Sequence, residues 1–280
     1  MEAKMITAIV LTFNEEIHIA RCIRSLRRVA SRVIVVDSYS TDRTLEIAEA
    51  EGAEVLQHPY VNQAQQFQWA LDTIELDTPW AMRMDADEYL SDALVDEIKN
   101  RLPELPEDVH GVNFKLRVKF LGKEMRWGVA RPVRVLRLWR SGSVYMEQKQ
   151  MDERLVLTSG SAVTFDGFFV NEELKGLSAW TLKHDNYSNR EVAQVLGRLP
   201  DGSAGETPGI MRKDKSLYYR MPRFFRAFCY FCMRYFLFLG FLDGRRGFIW
   251  LVLQAYWYRF LVDAKLYEEE IRSKEKADLK

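Results

Sequence analysis

Two aspartates separated by a single residue, Asp85 and Asp87, are the side chains best placed for chemistry in this 280-residue sequence. They follow residues 80–84, an apolar stretch with the length of a buried strand. Carboxylates at this spacing can bind a hard divalent cation, and Mg²⁺ or Mn²⁺ typically completes its coordination with water and substrate phosphates. Because Asp-x-Asp also occurs in many surface turns, the elements around the pair decide whether it forms a site.

The chain up to residue 90 alternates strand-like and helix-like patterns. Short apolar runs predict four strands, at residues 6–12, 32–37, 53–57 and 80–84. Segments with apolar residues at helical spacing predict the helices between them, at 16–29, 40–51 (capped by Ser40 or Thr41) and 62–74. This order predicts a mostly parallel α/β sheet with helices on both faces. Residues 112–120 and 132–139 alternate in the manner of further strands.

Polar residues follow three of these strands. Ligands of open α/β sheets bind at the carboxyl ends of the strands. The residues expected at that edge are Thr12, Phe13, Asn14 and Glu15, then Asp37, then Asp85, Ala86 and Asp87. The first strand is followed neither by G-x-G-x-x-G nor by a P-loop lysine motif, which excludes dinucleotide-dependent oxidoreductases and P-loop NTPases. A carboxylate-rich edge would repel an anionic ligand unless a divalent cation lay between them.

Three segments resemble the successive signatures of a known family. IVLTFNEE at 9–16, VVDSYSTD at 35–42 and MDADEY at 84–89 are similar to motifs of family 2 inverting glycosyltransferases. The likeness is greatest to bacterial enzymes that glucosylate lipopolysaccharide cores or build exopolysaccharides. It spans about residues 5–190, with a weaker similarity at 240–244 and 257–265. The resemblance implies the GT-A fold, a Rossmann-like, mostly parallel sheet, followed here by a helical segment rich in basic and aromatic residues.

The resemblance also assigns roles to the residues at the sheet edge. It implies that the nucleotide-sugar donor contacts Thr12, Phe13, Asn14, Glu15, Asp37, Asp85 and Ala86. Phe13 would lie against the base, Asp37 would accept from the uracil edge, and Asp85 would face the ribose and diphosphate. Asp87 would bind the cofactor, Mn²⁺ or Mg²⁺. Acceptor carboxylates suit the N–H of a pyrimidine and the ribose hydroxyls.

An inverting transfer also needs a carboxylate that takes the proton of the attacking hydroxyl. Asp152 and Glu153 resemble the second acidic motif of this subgroup, in which many members have His-Glu at the same place. The alignment favours Glu153 as the base and leaves Asp152 open, and a plain surface turn is the alternative. His184 stands near a histidine that reaches the metal or diphosphate in related enzymes, although a lone histidine is often structural. Arg131 and Arg134 are candidates for the diphosphate or the acceptor, or mark a solvated strand face.

The C-terminal part is basic and aromatic. Residues 211–262 contain ten Lys or Arg against two Asp, although the whole chain has a formal net charge of zero. That neutrality and the high apolar content argue against a nucleic-acid partner. The longest uncharged run, 247–258, has twelve residues, below the ~18–20 that span a bilayer. The segment is therefore expected to attach to a membrane surface, to cover the core with helices, or both.

The sequence thus predicts a catalytic domain at 1–198, a linker at 199–210 and a helical segment at 211–280. The expected reaction transfers a hexose, with glucose favoured, from a UDP-sugar to a saccharide acceptor that is lipid-linked. Three cysteines and the absence of a secretion signal predict the cytoplasm, at the inner face of the cell membrane. A sugar-phosphate nucleotidyltransferase and a non-catalytic sugar-nucleotide-binding membrane protein are the alternatives.

Overall fold

The computed structural model describes residues 5–129, 132–147, 154–197 and 218–278. The chain divides into two compact units: the first comprises Met1–Lys119, Pro132–Gln148 and Glu153–Leu174, and the second comprises Phe120–Arg131, Lys149–Asp152 and Lys175–Lys280. The division after Leu174 differs from the boundary at 198 that the sequence suggested. The predicted linker, 199–210, lies outside the described residues.

The first half of unit one follows the predicted alternation of strands and helices. The strands are β1 (Ile6–Thr12), β2 (Arg32–Asp37), β3 (Glu54–Gln57) and β4 (Trp80–Asp85). The helices are α1 (Ile19–Leu26), α2 (Thr44–Ala50) and α3 (Gln63–Thr73). The strands pair in parallel in the order β3-β2-β1-β4. The parallel α/β prediction is therefore confirmed for this half.

The second half of unit one makes the sheet mixed. Its elements are β5 (Glu88–Leu90), α4 (Asp92–Arg101), a 3₁₀ turn (Leu102–Glu104), β6 (Val109–Phe120), β8 (Arg134–Arg140) and β11 (Ser161–Glu172). The order continues β4-β8-β6-β11-β5, in which only β6 and β11 pair in parallel. The short strands β9 (Val144–Met146) and β10 (Leu155–Leu157) form a separate antiparallel pair.

Helices cover both faces of the sheet because the apolar runs of the central strands are buried on both sides. One face buries Ala8, Val10, Val33 and Val35 against α1, α2 and α4. The opposite face buries Ile9, Ile34 and Val36 together with Phe67 of α3 and Trp139 of β8. Two hydrophobic layers therefore hold the carboxyl ends of the strands in place.

The start of α2 differs from the sequence expectation. Neither Ser40 nor Thr41 caps the helix, which begins at Thr44 without a side-chain cap. The Ser40 amide donates to Asp37 Oδ2 (2.8 Å), and its hydroxyl donates to Oδ1 of the same carboxylate. The prediction of a cap at this place was wrong because Ser40 donates its hydrogen bonds to Asp37 at the end of β2 and forms a local turn there.

The described part of the second unit is mainly helical, apart from residues 120–129, which contain the last residue of β6 and the short strand β7 (Lys123–Met125). Its helices are α5 (Gly176–Val195), α6 (Phe225–Cys232) with a π-helical continuation (Met233–Leu237), a 3₁₀ turn (Gly240–Asp243), α7 (Gly244–Leu251), a second π-helical stretch (Val252–Trp257) and α8 (Tyr258–Asp278). α5 packs on α8 through Val192, Val262 and Leu266. Among the described residues no single helix is long and apolar enough to cross a membrane, but Phe225–Leu237 and Gly240–Asp278, bent by 73°, together have the length and composition.

Candidate active site

The register of the parallel strands brings the predicted edge residues together. Thr12, the last residue of β1, pairs with Asp37, the last residue of β2. On the other side of β1, Leu11 pairs with Asp85 at the end of β4. Neighbouring strands lie about 4.8 Å apart. The structure therefore places Thr12, Asp37 and Asp85 side by side at one sheet edge.

Thr12 and Phe13 present an unsatisfied hydroxyl and an exposed ring. Thr12 is buried, and its Oγ1 has no hydrogen-bond partner among the described residues. The Phe13 side chain is 53% exposed although the strand before it is buried. A buried hydroxyl without a partner costs free energy unless a ligand or water bonds to it. The two residues have the chemistry of a polar contact beside a stacking surface.

Asn14 joins two loops rather than pointing outward. Its backbone is left-handed (φ 53°), and its Oδ1 accepts from the Thr41 amide (2.7 Å). The Asn14 amide donates to Ser40 Oγ (2.7 Å), and the Glu15 amide donates to Thr44 Oγ1 (2.7 Å). These bonds tie the loop after β1 to the loop after β2. In this structure the Asn14 side chain shapes the site, and its predicted contact with the donor stays a prediction.

The Asp37 side chain is fully buried and has an acceptor position that the donors of the protein leave unfilled. It accepts from the Ser40 amide, the Ser40 hydroxyl and Gln57 Nε2, the last at 3.2 Å from Oδ2. A carboxylate offers about four acceptor positions. Three donors from the protein therefore leave capacity for one more, such as a ring N–H of a ligand.

His18 is a residue of the site that the sequence analysis missed. Its side chain is completely buried, and Nδ1 donates to Glu15 Oε2 at 2.5 Å. The Leu174 amide donates to Nε2 (2.8 Å), and Glu173 Oε1 lies 3.5 Å from the same atom. The imidazole thus fixes the Glu15 carboxylate at the mouth of the β1 loop. The i,i+3 spacing of Glu15 and His18 was the available signal.

The backbone of the acidic triplet is tied down on both sides. The Ala86 amide donates to the Leu11 carbonyl (3.2 Å), and the Asp87 carbonyl accepts from Arg21 Nη2 (3.2 Å) and from the Glu172 amide (3.1 Å). The Asp85 side chain is 28% exposed. Asp87 is buried. A fixed backbone at this position sets where the two carboxylates lie.

Arg83, Glu88 and Arg137 surround the triplet and also escaped the sequence analysis. Arg137 Nη2 donates to Glu88 Oε1 (2.6 Å), and Glu88 Oε2 accepts from the Asp85 amide (2.9 Å). Burial raises the pKa of Glu88 to about 8; Arg137 opposes the rise, and the charges of Asp85 and Asp87 add to it. Longer contacts join Asp85 to Arg83 (3.4 Å) and to Arg137 (3.8 Å).

The donor chemistry of the triplet fits a hard divalent cation. Asp85 and Asp87 supply carboxylate oxygens, the ligand type that Mg²⁺ and Mn²⁺ prefer. The nearest guanidinium nitrogens lie 3.4 and 3.8 Å from the Asp85 oxygens, so these contacts are too long to be strong hydrogen bonds. Within the described ranges no cluster of three or more His, Cys, Asp or Glu could hold a metal ion. Asp85 and Asp87 therefore fit a cation that completes its coordination shell with water and with phosphate oxygens of a ligand.

Of the remaining predicted residues, three are not described by the structure and one belongs to the second unit. Asp152, Glu153 and Arg131 fall outside the described residues. His184 belongs to the second unit, where its ring stacks on Trp180 with 3.5 Å between centroids. Its Nδ1 donates to the Trp180 carbonyl (2.8 Å). Burial lowers the pKa of His184 to about 4, so the ring is neutral at pH 7.

The comparison with known families fits this site. The family model described as Glycosyl transferase family 2 matches residues 7–160, more than half of the chain. The chain belongs to this family. The match contains every candidate donor-binding residue from Thr12 to Ala86 and the candidate metal ligand Asp87. It confirms the family and the GT-A fold that the three motifs suggested. The protein is therefore a glycosyltransferase.

Curated relatives cover nearly the whole glycosyltransferase. An uncharacterized glycosyltransferase of Rickettsia typhi, RT0209, is 27% identical over 97% of this chain and 89% of its own length. The lipopolysaccharide core biosynthesis glycosyltransferase LpsC of Rhizobium meliloti is 28% identical over 94% of this chain and 92% of its own. The similarity thus extends through the helical second unit.

Solved structures match over a smaller region. Glucosyl-3-phosphoglycerate synthase from Mycobacterium tuberculosis, in complex with Mn²⁺, uridine diphosphate and glucosyl-3-phosphoglycerate, is 23% identical. The match covers 41% of this glycosyltransferase and 44% of that chain, with a TM-score of 0.33. The match thus spans less than half of either chain.

Proposed function

We propose that this glycosyltransferase transfers a hexose, with glucose favoured, from a UDP-sugar to a saccharide acceptor by a metal-dependent inverting displacement. One observation carries the proposal: the β1, β2 and β4 register, which sets Thr12, Asp37 and Asp85 side by side. That edge offers an exposed ring, an unsatisfied hydroxyl and carboxylates within one ligand's reach. Family membership favours glycosyl transfer over a nucleotidyltransferase or a non-catalytic binder.

The donor is proposed to lie along the edge from β2 to β4. Asp37 accepts the ring N–H of uracil at its remaining position, and Phe13 lies against the base. Thr12 Oγ1 gains a hydrogen bond to the nucleoside, which removes the cost of an unsatisfied buried hydroxyl. Glu15, held by His18, and the backbone at Ala86 line the same pocket.

Asp87, with Asp85 next to it, is proposed to hold Mn²⁺ or Mg²⁺, and Asp85 also faces the ribose and diphosphate. A divalent cation bound here supplies positive charge that stabilises the departing diphosphate. The residues Arg21, Glu88 and Arg137 keep the triplet in one conformation by the bonds described above. The predicted ligand role of His184 stays untested, and the packing of its ring on Trp180 favours a structural role.

The acceptor hydroxyl attacks the anomeric carbon as the bond to the diphosphate breaks, and one carboxylate takes its proton. Glu153 is the proposed base, with Asp152 as the alternative. The relation to LpsC supports an acceptor in lipopolysaccharide or exopolysaccharide biosynthesis. Such acceptors are lipid-linked, so we propose work at the cytoplasmic face of the membrane, with residues 211–262 in contact with it.

A panel of UDP-sugars tests the proposal, with UDP release measured in Mn²⁺, Mg²⁺ or a chelator. GDP-mannose is the control for recognition of the nucleobase. We expect turnover of at least one UDP-hexose, loss of turnover in chelator, and no use of GDP-mannose. Glu153→Gln and Asp152→Asn then separate an enzyme from a binder, because an enzyme loses turnover and still binds UDP. Turnover that is unaffected by chelator, or no turnover of any donor, would overturn the proposal.

A further inference from the structure

The helical bend of the second unit has an unusual surface. Large apolar side chains are exposed along it, and Leu237 has 74% of its surface accessible. We call this set the aromatic wedge; its members are Phe225, Phe228, Phe236, Leu237, Leu239, Phe241, Leu242 and Phe248. Exposed apolar side chains concentrated in one short segment in this way mark an interaction surface in a folded protein.

The charged residues of the same stretch point the other way. Between residues 225 and 244 the chain has three charged side chains, Arg226, Arg234 and Asp243, and all three are buried. Arg226 Nε donates to Asp263 Oδ1 (2.9 Å), and Arg234 Nε donates to the Gly128 carbonyl (2.6 Å). This is the reverse of a water-facing helix, which buries its apolar side and exposes its charges.

Asp243 anchors the base of the wedge. Its Oδ2 accepts from the amides of Arg126 and Trp127, both at 2.9 Å, and its carbonyl accepts from Lys123 Nζ (2.6 Å). Asp243, which directly follows Leu242 of the wedge, is therefore hydrogen-bonded to the loop at 123–128. Beyond it, Arg245 and Arg246 are exposed. Two exposed cations thus lie between Leu242 and Phe248 of the wedge.

The bend itself is closely packed. A Cβ on Gly240 would lie 2.3 Å from Leu251 Cδ1 and 2.8 Å from the Arg234 carbonyl oxygen, and one on Gly247 would lie 2.3 Å from Asp243 Cβ. Leu239 at the turn has φ 56°, a left-handed conformation that is rare for a bulky residue. The fold accepts this strain where the chain turns and keeps Leu239 exposed.

We propose that the aromatic wedge inserts into the interfacial layer of an anionic lipid bilayer, with Arg245 and Arg246 on the lipid headgroups. Aromatic and leucine side chains at the level of the headgroups, bordered by arginines, are the signature of interfacial binding. The helical segment before the bend consists of the eight residues of α6 and the five residues of its π-helical continuation. It is at most about 20 Å long, which suits insertion to the depth of the interface.

Lipid fits this surface better than a second copy of the chain does. A bilayer offers both an apolar layer and a negative surface, and the wedge offers aromatic rings beside two exposed arginines. The inference rests on the proposed function in one respect: membrane binding would bring the enzyme to a lipid-linked acceptor. Binding to vesicles nevertheless needs neither donor nor acceptor, so the two proposals fail separately.

Co-flotation of the full chain with vesicles tests the inference. The probes are vesicles of phosphatidylcholine alone and of phosphatidylcholine mixed with phosphatidylglycerol. We expect binding to the mixed vesicles, and a loss of about tenfold or more for Leu237→Glu. The matched control is Leu182→Glu on α5, because Leu182 is 65% exposed and lies outside the wedge.

The arginines have their own control. Arg245→Ser/Arg246→Ser is expected to lose about fivefold per arginine on anionic vesicles and little on neutral ones. Lys274→Ser/Lys276→Ser removes the same charge from the exposed end of α8 and should retain binding. Equal losses in the two double variants, or in Leu182→Glu and Leu237→Glu, would overturn the inference.

Two further outcomes decide against lipid. The first is that the wild-type chain fails to co-float with vesicles of either composition. The second is a dimer in sedimentation that Leu237→Glu dissociates, which would assign the wedge to a second copy. UDP release measured without vesicles reports on the active site alone. Vesicle binding without turnover of any donor would contradict the proposed function and support this inference.

Discussion

The buried imidazole of His18 holds the carboxylate of Glu15, with 2.5 Å between Nδ1 and Oε2. Its other nitrogen accepts from the Leu174 amide (2.8 Å), so the ring is fixed at both ends. Glu15 lies three residues after the end of β1 and belongs to the proposed donor pocket. In the proposed pocket, His18 is therefore a positioning residue that would act on the donor through Glu15.

Replacement of His18 should weaken donor binding more than it slows turnover. His18→Leu leaves the Glu15 carboxylate and the Leu174 amide without their partner, and we expect a donor KM about tenfold higher with a smaller change in kcat. His18→Gln, which keeps a donor and an acceptor, should recover part of the loss. Steady-state kinetics and thermal denaturation of both variants check this. A fall in kcat alone, with KM unchanged, would contradict the positioning role.

Asp37 should control affinity for the uridine part of the donor. Asp37→Asn keeps the shape of the side chain and removes one acceptor oxygen and the charge, so we expect UDP to bind about ten to a hundred times more weakly. Asp72→Asn, at the exposed end of α3, is the control. Titration calorimetry with UDP measures both. Equal affinities for the two variants would show that Asp37 only holds the Ser40 turn.

The first four strands could be predicted because their signals are local. Each apolar run has strand length, and each intervening segment has helical spacing, so the parallel order followed. The start of α2 could not be predicted, because Ser40 serves equally well as a cap or as a partner for Asp37. Side-chain competition of that kind depends on the conformation of the loop.

The Glu88–Arg137 pair shows where sequence reasoning ended. The two residues are 49 positions apart and meet because β8 inserts between β4 and β6. No periodicity in the sequence specifies that insertion. The sequence singled out Arg131 and Arg134 on the same stretch, but Arg134 is exposed at the start of β8 while Arg137 is buried beside the triplet.

The buried ion pair between Arg226 and Asp263 should dominate the stability of the second unit. Their side chains are 3% and 1% exposed, so Asp263→Asn leaves a buried guanidinium without its counter-charge. We expect a loss of about 3–5 kcal/mol in the free energy of unfolding. Glu268→Gln removes an exposed partner of Arg272 and should cost at most about 1 kcal/mol. Urea unfolding compares them, and similar losses would contradict the assignment.

His184 should make stability depend on pH. Its pKa in the folded chain is lowered to about 4, against about 6.5 in an unfolded chain. Between these values only the unfolded chain binds the proton, so the free energy of unfolding falls as the pH drops from about 6.5 towards 4. We expect His184→Gln to remove on the order of 2 kcal/mol of that fall. Parallel pH profiles of wild type and variant would contradict this.

The same variant tests the predicted ligand role of His184. The stacking on Trp180 and the bond to its carbonyl describe a packed ring. We therefore expect the metal concentration for half-maximal activity to change little in His184→Gln. Loss of a metal ligand or of its support typically costs 10–100-fold in affinity, and a change of about that size would assign His184 to the metal instead.

The acidic triplet is proposed to hold the metal, and the Asp87→Asn variant tests that role. UDP release from the preferred UDP-sugar is measured in saturating Mn²⁺ for wild type, Asp87→Asn and the control Asp92→Asn, whose side chain is 87% exposed. We predict that Asp87→Asn loses at least about a hundredfold in kcat/KM and that Asp92→Asn retains wild-type activity. An Asp87→Asn enzyme that keeps full, metal-dependent turnover would show that Asp87 does not hold the metal.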